Sequence, residues 1–295
     1  MFEGLCAFPL TPLTEDGVDQ AALAGLVGRI TDAGVKSIGI LGSTGVYPYL
    51  SRDERHEALE AALASAGDAS VMCGIGAVRT RDVIANAEDA QEAGASALLL
   101  APVSYHRLTD NEVYGLYRDV VSASSVPVLV YDTPGTTGFS FTDELLERIA
   151  RLPRIGGIKV PPPPAGTTAS RLAELRGIFS PEQSIGISGD WESAEALLAG
   201  YGVWHSVIAG IFPRYALELA DAAMAGSAGT ARETSRRSDP IWALFKTHGS
   251  LRVVSAIAEE LGLTGAFGLP RPLQGLDEEA RSEVRAALEL SGLDG

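Results

Sequence analysis

Lys159 closes the apolar run Ile155-Gly156-Gly157-Ile158 and is followed by Val160 and the prolines Pro161 to Pro164. A glycine-bounded run that stops this abruptly reads as a short buried strand with the lysine at its C-terminal end. Only three of the 23 basic residues are lysine, the other two being Lys36 and Lys246. A structural lysine at a strand end would turn its ammonium outward into water, but this chain meets its need for surface cations with arginine. Arginine stays a cation, whereas a lysine among apolar groups can present a neutral amine and attack a carbonyl carbon. The chemistry suggested is formation of an imine, or Schiff base.

Two further segments could serve such a lysine. Gly42-Ser43-Thr44-Gly45 follows an apolar run, and its glycines permit a tight turn that aims backbone N–H groups and two hydroxyls at an anion; a turn without a ligand is the alternative. Tyr131-Asp132-Thr133-Pro134-Gly135 ends a third run and sets a phenol beside a Pro-Gly turn, where packing alone is the alternative. Other signatures break down. Gly74-Ile75-Gly76 has Arg79 where a dinucleotide fingerprint needs its third glycine, and Gly186-Ile187-Ser188-Gly189 lacks the spacing of a serine nucleophile elbow. The histidines His56, His106, His205 and His248 are far apart in sequence. The acidic clusters Asp53-Glu54 and Asp277-Glu278-Glu279 sit at expected helix starts, where they suit the helix dipole. No metal site is expected.

The elements that must position these residues alternate along the chain. Strands are expected over Gly4 to Phe8, Ser37 to Leu41, Ser70 to Ile75, Ala97 to Leu100, Val126 to Tyr131, Ile155 to Lys159, Ser184 to Ser188 and Val203 to Val207. Helix-period segments such as Asp19 to Ala33, Arg52 to Ala66, Arg81 to Ala93, Asn111 to Ser122 and Thr142 to Arg151 lie between them, several behind a Ser, Thr or Asp cap. Strands separated by single helices make parallel βαβ units, and eight such units match a (β/α)8 TIM barrel rather than an open doubly wound sheet. The C-terminal ends of barrel strands share one mouth, so Ser43, Tyr131 and Lys159 would meet there. Beyond about Ala228 the strand signals stop, and helices are expected near Ala231 to Phe245, Leu251 to Leu261 and Asp277 to Ser291. The expected organisation is a catalytic barrel over 1–226 and a C-terminal helical domain over 227–295.

Composition narrows the partners. A net charge of −15 without a dense basic stretch argues against nucleic acid. No apolar stretch approaches the length of a membrane span, and Met1-Phe2-Glu3-Gly4 lacks the basic region of a signal peptide, so a soluble cytoplasmic protein is expected. Cys6 and Cys73 are too few for a disulfide framework or a zinc site and read as buried thiols.

In their order and spacing these segments resemble the dihydrodipicolinate synthase and N-acetylneuraminate lyase family. The resemblance runs nearly the whole chain. It adds Thr11-Pro12 with Asp16-Gly17 and Asp19, Ala101-Pro102 with Tyr105, Thr137-Gly138, Ser188-Gly189-Asp190, and Ser206-Val207 with Pro213. It implies a (β/α)8 barrel with a C-terminal helical extension, assembled as a homo-oligomer, dimer or tetramer, that binds pyruvate or another 2-keto acid through a lysine Schiff base. In that family's terms Lys159 is the Schiff-base lysine, Tyr131 the catalytic tyrosine, and Ser43 and Tyr105 complete the proton relay. Ser43 and Thr44 would hold the keto-acid carboxylate, with Thr136, His205 and Gly186 at the remaining substrate-binding positions. No cofactor is implied, because the protonated imine is itself the electron sink.

Departures from the family pattern concern the second substrate. Val46 stands where an acid usually follows the Gly-x-Thr-Gly turn, and Asp132 where an asparagine follows the catalytic tyrosine. Thr136 replaces the arginine that in true dihydrodipicolinate synthases helps to clamp the second substrate's carboxylate. Ser104 replaces the first of two paired tyrosines, Gly210 an asparagine, and His205 an apolar residue at the end of strand eight. The reading is a Schiff-base lyase or aldolase of diverged substrate, with a genuine 4-hydroxy-tetrahydrodipicolinate synthase as the alternative within the same chemistry and a non-catalytic keto-acid-binding barrel as the alternative outside it.

Overall fold

The apolar runs become eight short parallel strands that close on themselves. They are β1 (Gly4–Ala7), β2 (Ser37–Ile40), β3 (Ser70–Gly74), β4 (Ala97–Leu100), β5 (Val128–Tyr131), β6 (Ile155–Val160), β7 (Ser184–Ile187) and β8 (Val203–Ser206). Each pairs in parallel with its sequence neighbours, and β1 pairs with both β8 and β2, so the sheet is a closed barrel. The computed structural model describes residues 2–266 and 268–293. The strands are buried almost throughout, as parallel strands under a shell of helices must be, and this explains why they read as continuous apolar runs rather than alternating ones.

The shell comprises α1 (Gln20–Asp32), α2 (Arg52–Ser65), α3 (Thr80–Ala93), α4 (Asp110–Ala123), the single turn α5 (Pro134–Thr137), α6 (Asp143–Ala150), α7 (Thr168–Ile178), α8 (Ser193–Ala199) and α9 (Pro213–Met224). Local chemistry sets several of the starts. Ser51 with Glu54 and Thr109 with Glu112 form reciprocal capping boxes ahead of α2 and α4, and the Asp19 side chain accepts from the Ala22 amide at the start of α1. A small hairpin, Leu13–Thr14 against Gly17–Val18, lies between β1 and α1.

Among the described residues four helices follow: α10 (Ala228–Arg236), α11 (Asp239–His248), α12 (Ser250–Glu260) and α13 (Glu278–Ser291). The single helix expected from Ala231 to Phe245 is in fact α10 and α11, broken at Ser238. Pro240, in the first turn of α11, has no N–H to continue the preceding helix and is tolerated at a helix start. Likewise β5 starts at Val128 instead of Val126, because Pro127 between them cannot donate to a ladder.

Two apolar layers result. One lies between strands and helices; the other fills the barrel and includes Phe2, Cys6, Phe8, Met72, Leu99, Leu129 and Tyr131. The strand β6 changes faces between them. Its register against β5 shifts, Val128 opposing Ile155 but Leu129 opposing Gly157, so Gly156 is an extra residue in β6. Ile155, Ile158 and Val160 all join the outer layer, a pattern that strict alternation would forbid for Ile155 and Ile158. The bulge leaves Lys159 facing the barrel axis.

Candidate active site

Register brings the reactive side chains together. Tyr131 on β5 pairs with Lys159 on β6, and Lys159 pairs with Gly186 on β7, so phenol and amine occupy neighbouring positions at the C-terminal rim. Lys159 is 3 % exposed. Its Nζ lies 3.7 Å from the centre of the Phe8 ring and 4.4 Å from that of Tyr131. Among the described residues it forms no ion pair. The amine therefore has aromatic faces rather than carboxylates as its immediate company.

The Phe8 ring is held there by missing side chains. A Cβ on Gly39 would come within 2.2 Å of the ring and one on Gly42 within 2.8 Å. Both approaches are far below van der Waals contact, so only glycine leaves the ring its place.

Ser43 and Tyr131 meet directly, the serine Oγ standing 3.0 Å from the phenol oxygen. Burial alone would raise the Tyr131 phenol, but the Lys159 ammonium and hydrogen bonding from Ser43 and Thr133 outweigh it and hold the phenol below its ordinary value. Proton transfer between phenol and hydroxyl needs no further movement of either group.

The turn that carries Ser43 is bracketed by strain. Leu41 (φ 58°) and the buried, β-branched Val46 (φ 48°) both lie in the left-handed region, where such residues are rare and cost of order 1–3 kcal/mol each. Thr11 Oγ1 donates to the Gly45 carbonyl at 2.9 Å and helps to hold the turn. Among the described residues no intrachain hydrogen bond uses the amides of Ser43 or Thr44. The turn thus leaves both amides without an intrachain partner, next to the hydroxyls of Ser43 and Thr44.

These groups line a cavity of about 210 Å³, with Thr133, Thr136, Ser188, Trp191, His205 and, from the C-terminal helices, Phe245 and Ser250 among the other walls. No arginine lines it; Lys159 and Asp190 are its charged residues. Asp190 is committed structurally. Its buried carboxylate accepts from Trp204 Nε1 at 2.9 Å and from the amides of Val207 and Ile208 at 3.1 and 2.7 Å, pinning the segment after β8. Burial pushes this carboxyl up to about 6 against those donors and against Lys159.

Thus Lys159, Tyr131, Ser43, Thr44, Thr136 and His205 share one cavity. Gly186 does not line it. A Cβ at Gly186 would lie 2.3 Å from His205 Nε2, so this glycine makes room for the imidazole. Tyr105, on the loop after β4, is 91 % exposed and within a single chain stands apart from the Ser43–Tyr131 pair. Asp132, read as adding charge near the mouth, is half-buried with its carboxyl pushed up to about 6 by burial, opposed by Arg171. Phe8, Trp191, Phe245 and Ser250 went unforeseen. The glycines at 39 and 42 are the one local sign that a ring crosses β2, whereas nothing near Phe245 or Ser250 signals that a helix far along the chain closes over the barrel.

The profile of the dihydrodipicolinate synthetase family matches residues 1–291. A 4-hydroxy-tetrahydrodipicolinate synthase of Methylococcus capsulatus is 32% identical over 297 residues, covering 99% of this chain and 100% of its own. That of Halorhodospira halophila is 30% identical over 300 residues, 99% of this chain and 98% of its own. Among solved structures, a dihydrodipicolinate synthase from Agrobacterium tumefaciens superposes with a TM-score of 0.95 at 48% identity over 98% of each chain. One from Acinetobacter baumannii, complexed with pyruvate, gives 0.92 at 27% identity over 100% of each.

Proposed function

Because this chain belongs to the dihydrodipicolinate synthetase family, whose members are class I lyases that use a lysine Schiff base, we propose that Lys159 is the amine that forms it, with pyruvate as the 2-keto acid. The neutral amine attacks the keto carbon, the carbinolamine loses water, and the resulting protonated imine draws electrons from the neighbouring carbon as that carbon loses a proton. The enamine so formed can make a carbon–carbon bond to a carbonyl carbon or expel a hydroxyl, as water, from the carbon beyond, and the first of these steps run in reverse breaks a carbon–carbon bond. Tyr131 delivers and removes the protons at the carbinolamine, and Ser43, 3.0 Å away, passes them on. The amides and hydroxyls of Ser43 and Thr44 hold the keto-acid carboxylate, fixing which face of the keto carbon meets Lys159.

The observation that carries this reading is a buried amine between two aromatic rings, paired in register with a phenol that is already hydrogen-bonded to Ser43 of the Gly42–Gly45 turn. Borohydride reduction in the presence of pyruvate tests it: a mass increment is expected on the peptide that contains Lys159, and no increment there sinks the assignment. Lys159→Ala separates an enzyme from a binding module, since the enzyme loses turnover while retaining part of its affinity for the keto acid.

The names of the relatives favour a second reading, 4-hydroxy-tetrahydrodipicolinate synthase. Against it stands Thr136, which lines the cavity where a bidentate arginine is needed; losing such a charge-assisted contact costs about 1.5–3 kcal/mol. Turnover of pyruvate with aspartate semialdehyde at ordinary rates would show that Thr136 is no obstacle. The same reading has the protein at work in the cytoplasm as a homo-oligomer, in which the exposed Tyr105 could complete a neighbour's relay.

A further inference from the structure

Among the described residues His205 is the one buried histidine, and neither of its ring nitrogens has a hydrogen-bond partner there. It lies on β8 at the floor of the Lys159 cavity, edge-on to Phe8 at 5.6 Å, with Nε2 in the hollow left by Gly186. A buried polar group without a partner costs about 1–3 kcal/mol, so a ligand atom that pairs with either nitrogen is favoured. Two constraints decide what would relieve it. Burial, and then the neighbouring Lys159, keep this imidazole neutral, so it offers one N–H donor and one bare nitrogen acceptor. A hydroxyl, itself donor and acceptor, suits either nitrogen and either tautomer. A carboxylate can accept only from the N–H, cannot donate to the bare nitrogen, and brings a charge that a neutral imidazole does not balance. Among the described residues that line the cavity, Lys159 is the one lysine and there is no arginine.

We propose that His205 selects 2-keto acids bearing an uncharged hydroxyl on the chain beyond the keto carbon, and that the site rejects those bearing a second carboxylate there. The proposal rests on the Schiff-base reading, and its test is arranged to separate the two. The probes are 2-ketopentanoate, its 4-hydroxy and 5-hydroxy derivatives, and 2-ketoglutarate. Half-saturation of the borohydride-trapped adduct is read by intact mass, and equilibrium affinity by calorimetry, which requires no imine. In the wild-type protein at least one hydroxylated probe is expected to bind tenfold or more tightly than both 2-ketopentanoate and 2-ketoglutarate. In His205→Leu that preference is expected to fall to threefold or less, and His205→Gln, which restores an amide donor and acceptor, recovers part of it; His205→Phe serves if leucine impairs folding. A merely structural histidine would weaken all probes alike and leave the ratios unmoved. Absence of a preference in the wild type, preference for 2-ketoglutarate, or a preference that survives removal of the nitrogens overturns the proposal. Failure of pyruvate trapping in the wild-type protein would instead count against Lys159 and leave the calorimetric ratios to decide His205.

Discussion

Ile155 and Lys159 lie on the same strand an even number of residues apart, yet they face opposite sides of the barrel wall: Ile155 packs among the helices and Lys159 lines the central cavity. The extra residue at Gly156 causes the reversal. Without it the alternation of side chains would place both on one face. The glycines ahead of Lys159 are therefore part of the device that aims the amine.

Gly157 should tolerate no side chain. Its φ of 147° lies where glycine is favoured, and a Cβ there would meet the Ser184 carbonyl oxygen at 2.1 Å. Gly157→Ala is expected to destabilise the fold by about 3 kcal/mol and to lower pyruvate trapping in whatever protein remains folded. Thermal melting with parallel trapping checks both, and a variant as stable as the wild type would refute the clash.

The Ser43–Tyr131 contact should carry protons rather than stability. Ser43→Ala is expected to lower kcat by roughly 10²-fold or more, the usual worth of a positioned proton-transfer partner, while Ser43→Thr keeps the hydroxyl and much of the rate. Steady-state kinetics on the two variants, with melting temperature as control, distinguishes a relay from a packing contact.

Tyr131 should ionise first among the buried tyrosines. Burial raises Tyr47, Tyr117, Tyr201 and Tyr215, whereas Lys159 and the hydrogen bonds hold Tyr131 below its usual value despite its burial. The phenolate absorbance lost on Tyr131→Phe is therefore expected to titrate below the pH of an ordinary phenol. Lys159→Met removes the largest lowering influence and leaves burial in place, so this midpoint should move upward. An unchanged midpoint would contradict the coupling.

Both cysteines should be inert in the folded protein. Burial pushes the Cys6 and Cys73 thiols up to about 12, with Lys159 and Arg55 respectively pulling the other way, so at neutral pH on the order of one thiol in 10⁵ is the reactive thiolate. Iodoacetamide is expected to label neither site in the native protein and both after unfolding, counted by intact mass. Rapid native labelling would mean that the barrel interior opens readily.

Much of this architecture is written locally. Apolar runs such as Ala97–Leu100 and capped helices such as Arg52–Ser65 emerged within a residue or two of expectation, because buried parallel strands and amphipathic helices impose their periods on the residues that form them. The rarity of lysine singled out Lys159 for the same kind of reason, since an amine and a guanidinium differ in what they can do. Breaks set by proline were misjudged: Pro240 separates two helices read as one, and Pro127 delays β5.

The order of elements, the rim position of Lys159, Tyr131 and the Gly42–Gly45 turn, and the chemistry open to an amine beside a phenol are all legible from local stretches of chain. Which side chains share space is settled by the packing of distant elements. The bulge at Gly156, the Phe8 ring seated over Gly39, the imidazole of His205 in the hollow of Gly186 and the reach of Phe245 to the cavity all join residues on different elements. Such contacts depend on closure of the barrel and on shear between strands, quantities set by the whole packed molecule and carried by no short stretch of chain.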